Sequence, residues 1–199
     1  MATGRRAQLL TIAAKMMFER GYYAVGMDDI GEAAGISGPA LYRHFRSKQH
    51  LLAEMLLEPS DRILLGAHRI VAEDLPALRT LDDLVEWHVA ATSTGVNVIT
   101  VYHLWLGEML EPDRAMLEAK LDEYIHLWID QIHRVRPDIP ALTCRSAVQT
   151  LFRMFNMPYE DRKRAARRHD ILVTAMAKAA LNGVLLMPVP QAVNRRVAS

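Results

Sequence analysis

The sequence predicts an all-α protein: a small N-terminal helix-turn-helix unit joined to a larger helical body, about nine helices together. Three observations carry this. Apolar residues recur at three- and four-residue spacing through most of the 199 residues, the period of amphipathic helices. No segment alternates apolar and polar as a strand would, and no repeat or low-complexity tract interrupts the pattern. Within Met27 to Lys48, two short helical signatures flank a glycine.

Taken in order, Arg5 to Arg20 has its apolar stripe at Leu9, Ile12, Ala13, Met16 and Met17 and is closed by Gly21. Residues 28–34 form a second helix, with acids at its start, where the helix dipole favours them, and Ile30, Ala33 and Ala34 on one face. Gly35 breaks it. Ser37 is a good N-cap for a third helix over 38–45, and Pro39 falls in its first turn, where a missing N–H costs nothing. Leu41 and Phe45, four residues apart, can anchor that helix to a core, leaving Tyr42, Arg43 and His44 outward. A short helix pinned on one face and basic-aromatic on the other suits the reading of DNA.

A long helix follows over 47–71, with Pro59 expected to kink or interrupt it. Thr80 is placed to cap a helix over 81–94, and Gly95 and Asn97 precede an apolar run, 98–110, ended at Glu111-Pro112. Further helices are expected over 114–135, 143–157 and 168–181, the last closed by Asn182-Gly183. The division that follows is a DNA-binding unit at 1–50, a body at 51–187 and a frayed, disordered tail at 188–199.

Charge is uneven. The chain as a whole carries +1, but residues 1–50 hold seven Lys/Arg against four Asp/Glu, and the remainder 17 against 19. The basic end is the end with the turn motif, as a nucleic-acid contact confined to one end requires. A 51% hydrophobic content fits a buried core of substantial size. No run approaches the ~18 apolar residues of a membrane span, and no signal peptide is evident, so a soluble cytoplasmic protein with no membrane contact is expected. Cys144, the single cysteine, excludes an intramolecular disulfide and suits a reducing compartment.

The N-terminal residues resemble the TetR-type transcriptional repressors, a helix-turn-helix family. The match lies in Gly21-Tyr22, Ile30, Ala34-Gly35-Ile36-Ser37, Leu41-Tyr42, His44-Phe45, Ser47-Lys48 and Leu51-Leu52, over roughly residues 5 to 55. The resemblance implies that Ser37, Gly38, Pro39 and Ala40 open the recognition helix nearest the base edges. It implies that Tyr42 and His44 contact phosphate and base, that Lys48 contacts phosphate, and that Arg43 reads a base. Gly26 stands where a phosphate-touching Ser or Thr cap is usual, and Asp28 where a basic or neutral residue is common; both weaken the expected backbone contacts.

The two final helices are apolar on more than one face. Val148, Leu151, Phe152 and Phe155 in one, and Leu172, Ala175, Met176 and Ala179 in the other, suit the four-helix dimer interface that the family implies; an internal core is the alternative. Trp87, His88, Tyr102, His103, Trp105, Met109, Tyr124, Trp128 and Phe155 lie at helical spacing and singly read as core. As a set they also suit a pocket for a largely apolar effector: an acyl chain, an acyl-CoA, a hydrophobic drug or a sterol-like molecule.

Other chemistry has little foothold. The basic run Arg162 to Arg168 reads as a solvated loop or helix start rather than an anion site. Asp122 and His126 sit at i and i+4 without a companion ligand pair, so no metal is expected. No cofactor-binding or catalytic motif appears, so no cofactor and no enzyme activity are expected. The expected function is a homodimeric regulator, a repressor released from a palindromic duplex operator by a hydrophobic small molecule. The rival is an all-α ligand-binding or catalytic bundle in which the turn motif is vestigial.

Overall fold

A computed structural model describes residues 4–93, 105–155 and 159–188, with side chains at all of these except 93, 154, 155 and 159–169. Among the described residues there are eight α-helices, one 3-10 turn (Leu106–Glu108) and no strand. The helices are α1 (Arg5–Arg20), α2 (Met27–Ala33), α3 (Gly38–His44), α4 (Lys48–Ala72), α5 (Ala77–Ser93), α6 (Glu111–Val135), α7 (Ala141–Phe155) and α8 (Tyr159–Leu186).

Two hydrophobic clusters organise the chain. The first joins Leu9, Ala13 and Met17 of α1, Ile30 of α2, Leu41 and Phe45 around α3, and Leu51, Leu52 and Leu56 of α4. It also takes in Trp105, Met109 and Leu117, so the chain after α5 helps to seat the N-terminal helices. The second gathers Leu64 and Ala67 of α4, Leu84 and Val85 of α5, Trp128 and Ile132 of α6, Val148, Leu151 and Phe152 of α7, and Ala177 and Leu181 of α8. Helix α4 runs through both clusters, about 38 Å at 1.5 Å per residue, and joins them rigidly.

Several element boundaries differ from the sequence expectation. Helix α4 continues across Pro59. One N–H is lost there, but Ser60 Oγ donates to the Leu56 carbonyl at 2.7 Å, and burial of Leu56 and Leu64 on either side holds the turns in register. Thr80 is not a cap; α5 begins a turn earlier, and the Thr80 N–H donates to Pro76 O at 3.0 Å from inside the helix. Pro112 opens α6 rather than ending a helix, its missing N–H falling among donors that have no intrahelical partner anyway.

Of the apolar run 98–110, residues 98–104 lie outside the described residues; of the remainder, Leu106–Glu108 form the 3-10 turn and Met109 is extended. Helix α8 is far longer than 168–181: it includes the basic run Arg162 to Arg168 and continues through Asn182-Gly183. Residues 189–199, most of the expected tail, also lie outside the described residues.

Candidate nucleic-acid interface

The turn between α2 and α3 is built on close backbone packing. Gly35 adopts φ +67, a left-handed conformation that side chains resist. The Ile36 N–H donates back to Gly31 O at 2.9 Å, and a methyl group on Gly31 would stand 3.1 Å from the Ile36 carbonyl. Gly38 is held more tightly: a methyl there would collide with the Asp28 carboxylate. Asp28 therefore sits against the start of α3, where the helix dipole welcomes an anion. At the start of α2, Gly26 supplies no hydroxyl, but its N–H donates to Asp29 Oδ2 at 2.6 Å, half of a capping box.

Helix α3 shows two faces. Leu41 and, just beyond the helix, Phe45 are fully buried, and Phe45 N–H donates to Leu41 O at 3.0 Å. Opposite them Ser37, Pro39 and Arg43 are exposed and Tyr42 is 51% exposed; Gly38, Ala40 and His44 are half-buried. The basic arginine and the aromatic phenol thus share an open surface at the basic end of the molecule. Lys48, opening α4 behind the Ser47 cap, places its ammonium 4.0 Å from the Tyr22 ring centroid and donates to the Tyr22 carbonyl. Partial burial lowers its pKa, and the charges of Glu108 and Asp29 oppose that shift.

Comparison with known proteins accords with this architecture. Residues 9–55 match the pattern of the family described as bacterial regulatory proteins, tetR family. Over that segment the chain carries the tetR-family pattern. It is similar to the HTH-type transcriptional repressor KstR2 of Rhodococcus jostii, 33% identical over 128 residues, which are 64% of this chain and 63% of that one. It is also similar to the HTH-type transcriptional activator FasR of Mycolicibacterium smegmatis, 42% identical over 79 residues, 40% of this chain and 33% of that protein. The chain thus aligns with less than two thirds of either relative. A solved structure titled as the ketosteroid transcriptional regulator KstR2 of Mycobacterium tuberculosis shares the fold, with a TM-score of 0.74 over 93% of this chain and 95% of that chain at 23% identity. The relatives are regulators rather than enzymes.

The body behind the turn motif is helical, and its aromatic residues do not form one group. His88, Tyr124 and Trp128 come together, joined by Phe152. The His88 and Phe152 rings stack at 4.6 Å, Tyr124 and Phe152 at 5.2 Å, and Trp128 meets Phe152 edge-on at 5.2 Å. His88 Nδ1 and Tyr124 Oη are 3.0 Å apart, and burial drives the Tyr124 phenol pKa well above its ordinary value. Trp105 and Met109, expected beside these residues, instead pack in the N-terminal cluster, with Trp105 6.2 Å from the Tyr22 ring. Trp87 lies across Gly66 and donates Nε1–H to Ile63 O at 2.9 Å. Tyr102 and His103, and the Phe155 side chain, lie outside the described residues.

The interface set divides in the same way. Val148, Leu151 and Phe152 are buried within the single chain by α5, α6 and α8, which corrects their reading as contact residues between copies. Leu172, Ala175, Met176 and Ala179 do face outward, together with Ile171. Sequence reasoning missed Arg5, Arg6 and Glu54, which fasten α2 and α3, and Glu108, which accepts the Tyr23 hydroxyl. Those partners are 29 to 85 residues apart, and no periodicity links them.

Proposed function

We propose that the protein is a homodimeric DNA-binding transcriptional regulator of the cytoplasm that represses from a palindromic duplex operator and releases it on binding a hydrophobic small molecule. The observation that carries this reading is the two-faced α3: Leu41 and Phe45 buried, with Pro39, Tyr42 and Arg43 open on the other side. Seven residues present little more than one functional row, so the helix enters a major groove by its first two turns, Ser37 to Arg43. Arg43 has the fork geometry for guanine O6 and N7. Tyr42 and His44 serve backbone contacts, and Lys48 joins them by exchanging the Tyr22 carbonyl for a phosphate.

Two copies reading two half-sites need a symmetric contact, and the exposed Ile171, Leu172 and Met176 row on α8 supplies its apolar core. The effector site is assigned to the aromatic group around His88, Tyr124, Trp128 and Phe152. The similar KstR2 of Mycobacterium tuberculosis is a ketosteroid transcriptional regulator, which favours a flat polycyclic apolar ligand over a charged one. Release requires that the effector bind the non-reading form more tightly, and a coupling of ~1–3 kcal/mol changes operator affinity about 5–150-fold.

A gel shift of the protein on duplex from its own upstream region tests the reading. Salt-sensitive binding that a random duplex cannot compete away is the expected result. Its absence in wild type, with Arg43→Ala indistinguishable, points instead to a ligand-binding bundle with a vestigial turn.

A further inference from the structure

Basic residues near a DNA-reading helix invite assignment as phosphate ligands, and Arg6 is one of them. Its surroundings argue otherwise. Arg6 Nε donates to Glu54 Oε2 at 2.8 Å while Nη2 donates to Glu54 Oε1, a two-point pairing of fork and carboxylate. The remaining arm, Nη1, donates to the His44 carbonyl at 2.6 Å. The guanidinium carbon lies 4.5 Å from the centroid of the Phe45 ring. Glu54 is itself placed by α4: its carboxylate meets His50 Nε2 at 3.0 Å, and the His50 N–H is capped by Ser47 Oγ at 3.1 Å.

The His44 carbonyl is one of the last in α3 and lacks an intrahelical donor, so a cation there both satisfies it and complements the negative end of the helix. A helix of seven residues has no stability of its own. Leu41 and Phe45 fix its depth but not its slide along the surface. Arg6 holds its far end through one carbonyl and one ring, and ties both to α4. Arg5 does the same for the preceding helix, donating to the Ala34 carbonyl at 2.6 Å.

We propose that Arg6 is a positioning residue for the recognition helix, acting through the His44 carbonyl and the Phe45 ring under the control of Glu54, and is not a phosphate ligand. The proposal rests on the DNA-reading function above. With Glu54 paired to it, Arg6 adds little net attraction for phosphate; a bidentate base contact, by contrast, depends on where α3 lies.

Two variants separate the alternatives. Arg6→Lys keeps the charge and loses the fork. Glu54→Gln removes a negative charge, which by simple electrostatics tightens DNA binding. Both are measured by fluorescence anisotropy on a duplex that the protein selects from a random pool and on a scrambled duplex, and by amide exchange without DNA. Expected is a loss of about tenfold on the selected duplex for both variants, with the scrambled duplex bound as by wild type for Arg6→Lys and no more weakly than by wild type for Glu54→Gln. Exchange at residues 38–45 accelerates in both, while α6 and α7 keep wild-type protection. Rescue by Arg6→Lys, tighter binding of the selected duplex by Glu54→Gln, or unchanged exchange over 38–45 overturns the proposal. If wild type prefers no duplex, the DNA reading fails, and the exchange result still decides whether Arg6 positions the helix.

Discussion

The Lys48 ammonium rests 4.0 Å from the centroid of the Tyr22 ring and donates to the Tyr22 carbonyl. This contact ties the start of α4 to the segment that follows α1. The same segment meets the body of the protein, since Trp105 packs near Tyr22 and the Tyr23 hydroxyl donates to Glu108. Any movement of residues 105–109 is therefore felt at Lys48. A cation over an aromatic face contributes ~0.5–2 kcal/mol, so Tyr22→Phe should retain most of the stability and Tyr22→Leu should lose more than its change in size explains. Chemical denaturation in the Lys48 and Lys48→Met backgrounds checks this: equal costs of Tyr22→Leu in both contradict the contact.

Gly66 provides a test with an unusual sign. Alanine in the middle of an exposed helix normally adds ~1 kcal/mol over glycine. Here a methyl group would collide with the Trp87 indole, a rigid ring whose Nε1–H is already committed to Ile63 O. Gly66→Ala should therefore destabilise by ~1–3 kcal/mol. Adding Trp87→Leu should relieve part of that loss, and simple additivity in urea melts would argue against the collision.

Acid sensitivity follows from three carboxyls held below their ordinary range. A hydrogen bond from Lys178 acts first on Glu86, one from Arg145 on Asp122 and one from Arg136 on Asp138. A carboxyl depressed in the folded state adds stability above its unfolded value and loses it as pH falls through the folded one. The melting temperature should therefore hold steady from about pH 7 to 5 and decline below about pH 4. The groups are exposed, so each contributes little by itself. Glu86→Gln should sit below wild type at neutral pH and converge with it in acid; a constant gap would exclude the Lys178 pair as a cause.

The outward row on α8 predicts assembly. Ile171 is 73% exposed, Leu172 58% and Met176 53%, too much adjoining apolar surface on one helix to leave to water without consequence. Leu172→Glu with Met176→Glu should convert a dimer to a monomer in native mass spectrometry without changing helix content. A pair of substitutions that leaves the mass unaltered places the contact between copies elsewhere. Val148→Ala, in contrast, should cost ~1–3 kcal/mol of folding stability and leave the assembly intact, because that side chain is buried within its own chain.

What the sequence makes legible differs between the two ends of the chain. Around α3 the determinants are local: Gly35 breaks one helix, Pro39 opens the next, and Leu41 with Phe45 marks the buried face within four residues. In the body, spacing identifies an apolar face but not the partner that covers it. Val148, Leu151 and Phe152 therefore look the same whether they meet another copy or, as here, His88, Tyr124 and Trp128 of their own chain. Trp105 and Met109 are likewise apolar residues whose cover, the N-terminal helices, spacing does not reveal. Proline signals were ambiguous too: Pro112 opens a helix and Pro59 is tolerated inside one, and only the surrounding packing distinguishes the cases.

The claim on which the account turns is that α3 reads duplex DNA through Tyr42 and Arg43. Anisotropy titrations across a salt series, on a duplex selected by the protein and on its single-base variants, test it most directly. The account predicts a steep log–log fall of affinity with salt for wild type, a uniform loss for Tyr42→Ala, and for Arg43→Ala a loss of ~1–3 kcal/mol confined to one base position in each half-site. Salt-insensitive binding, or an Arg43→Ala protein that discriminates every base as wild type does, would contradict it.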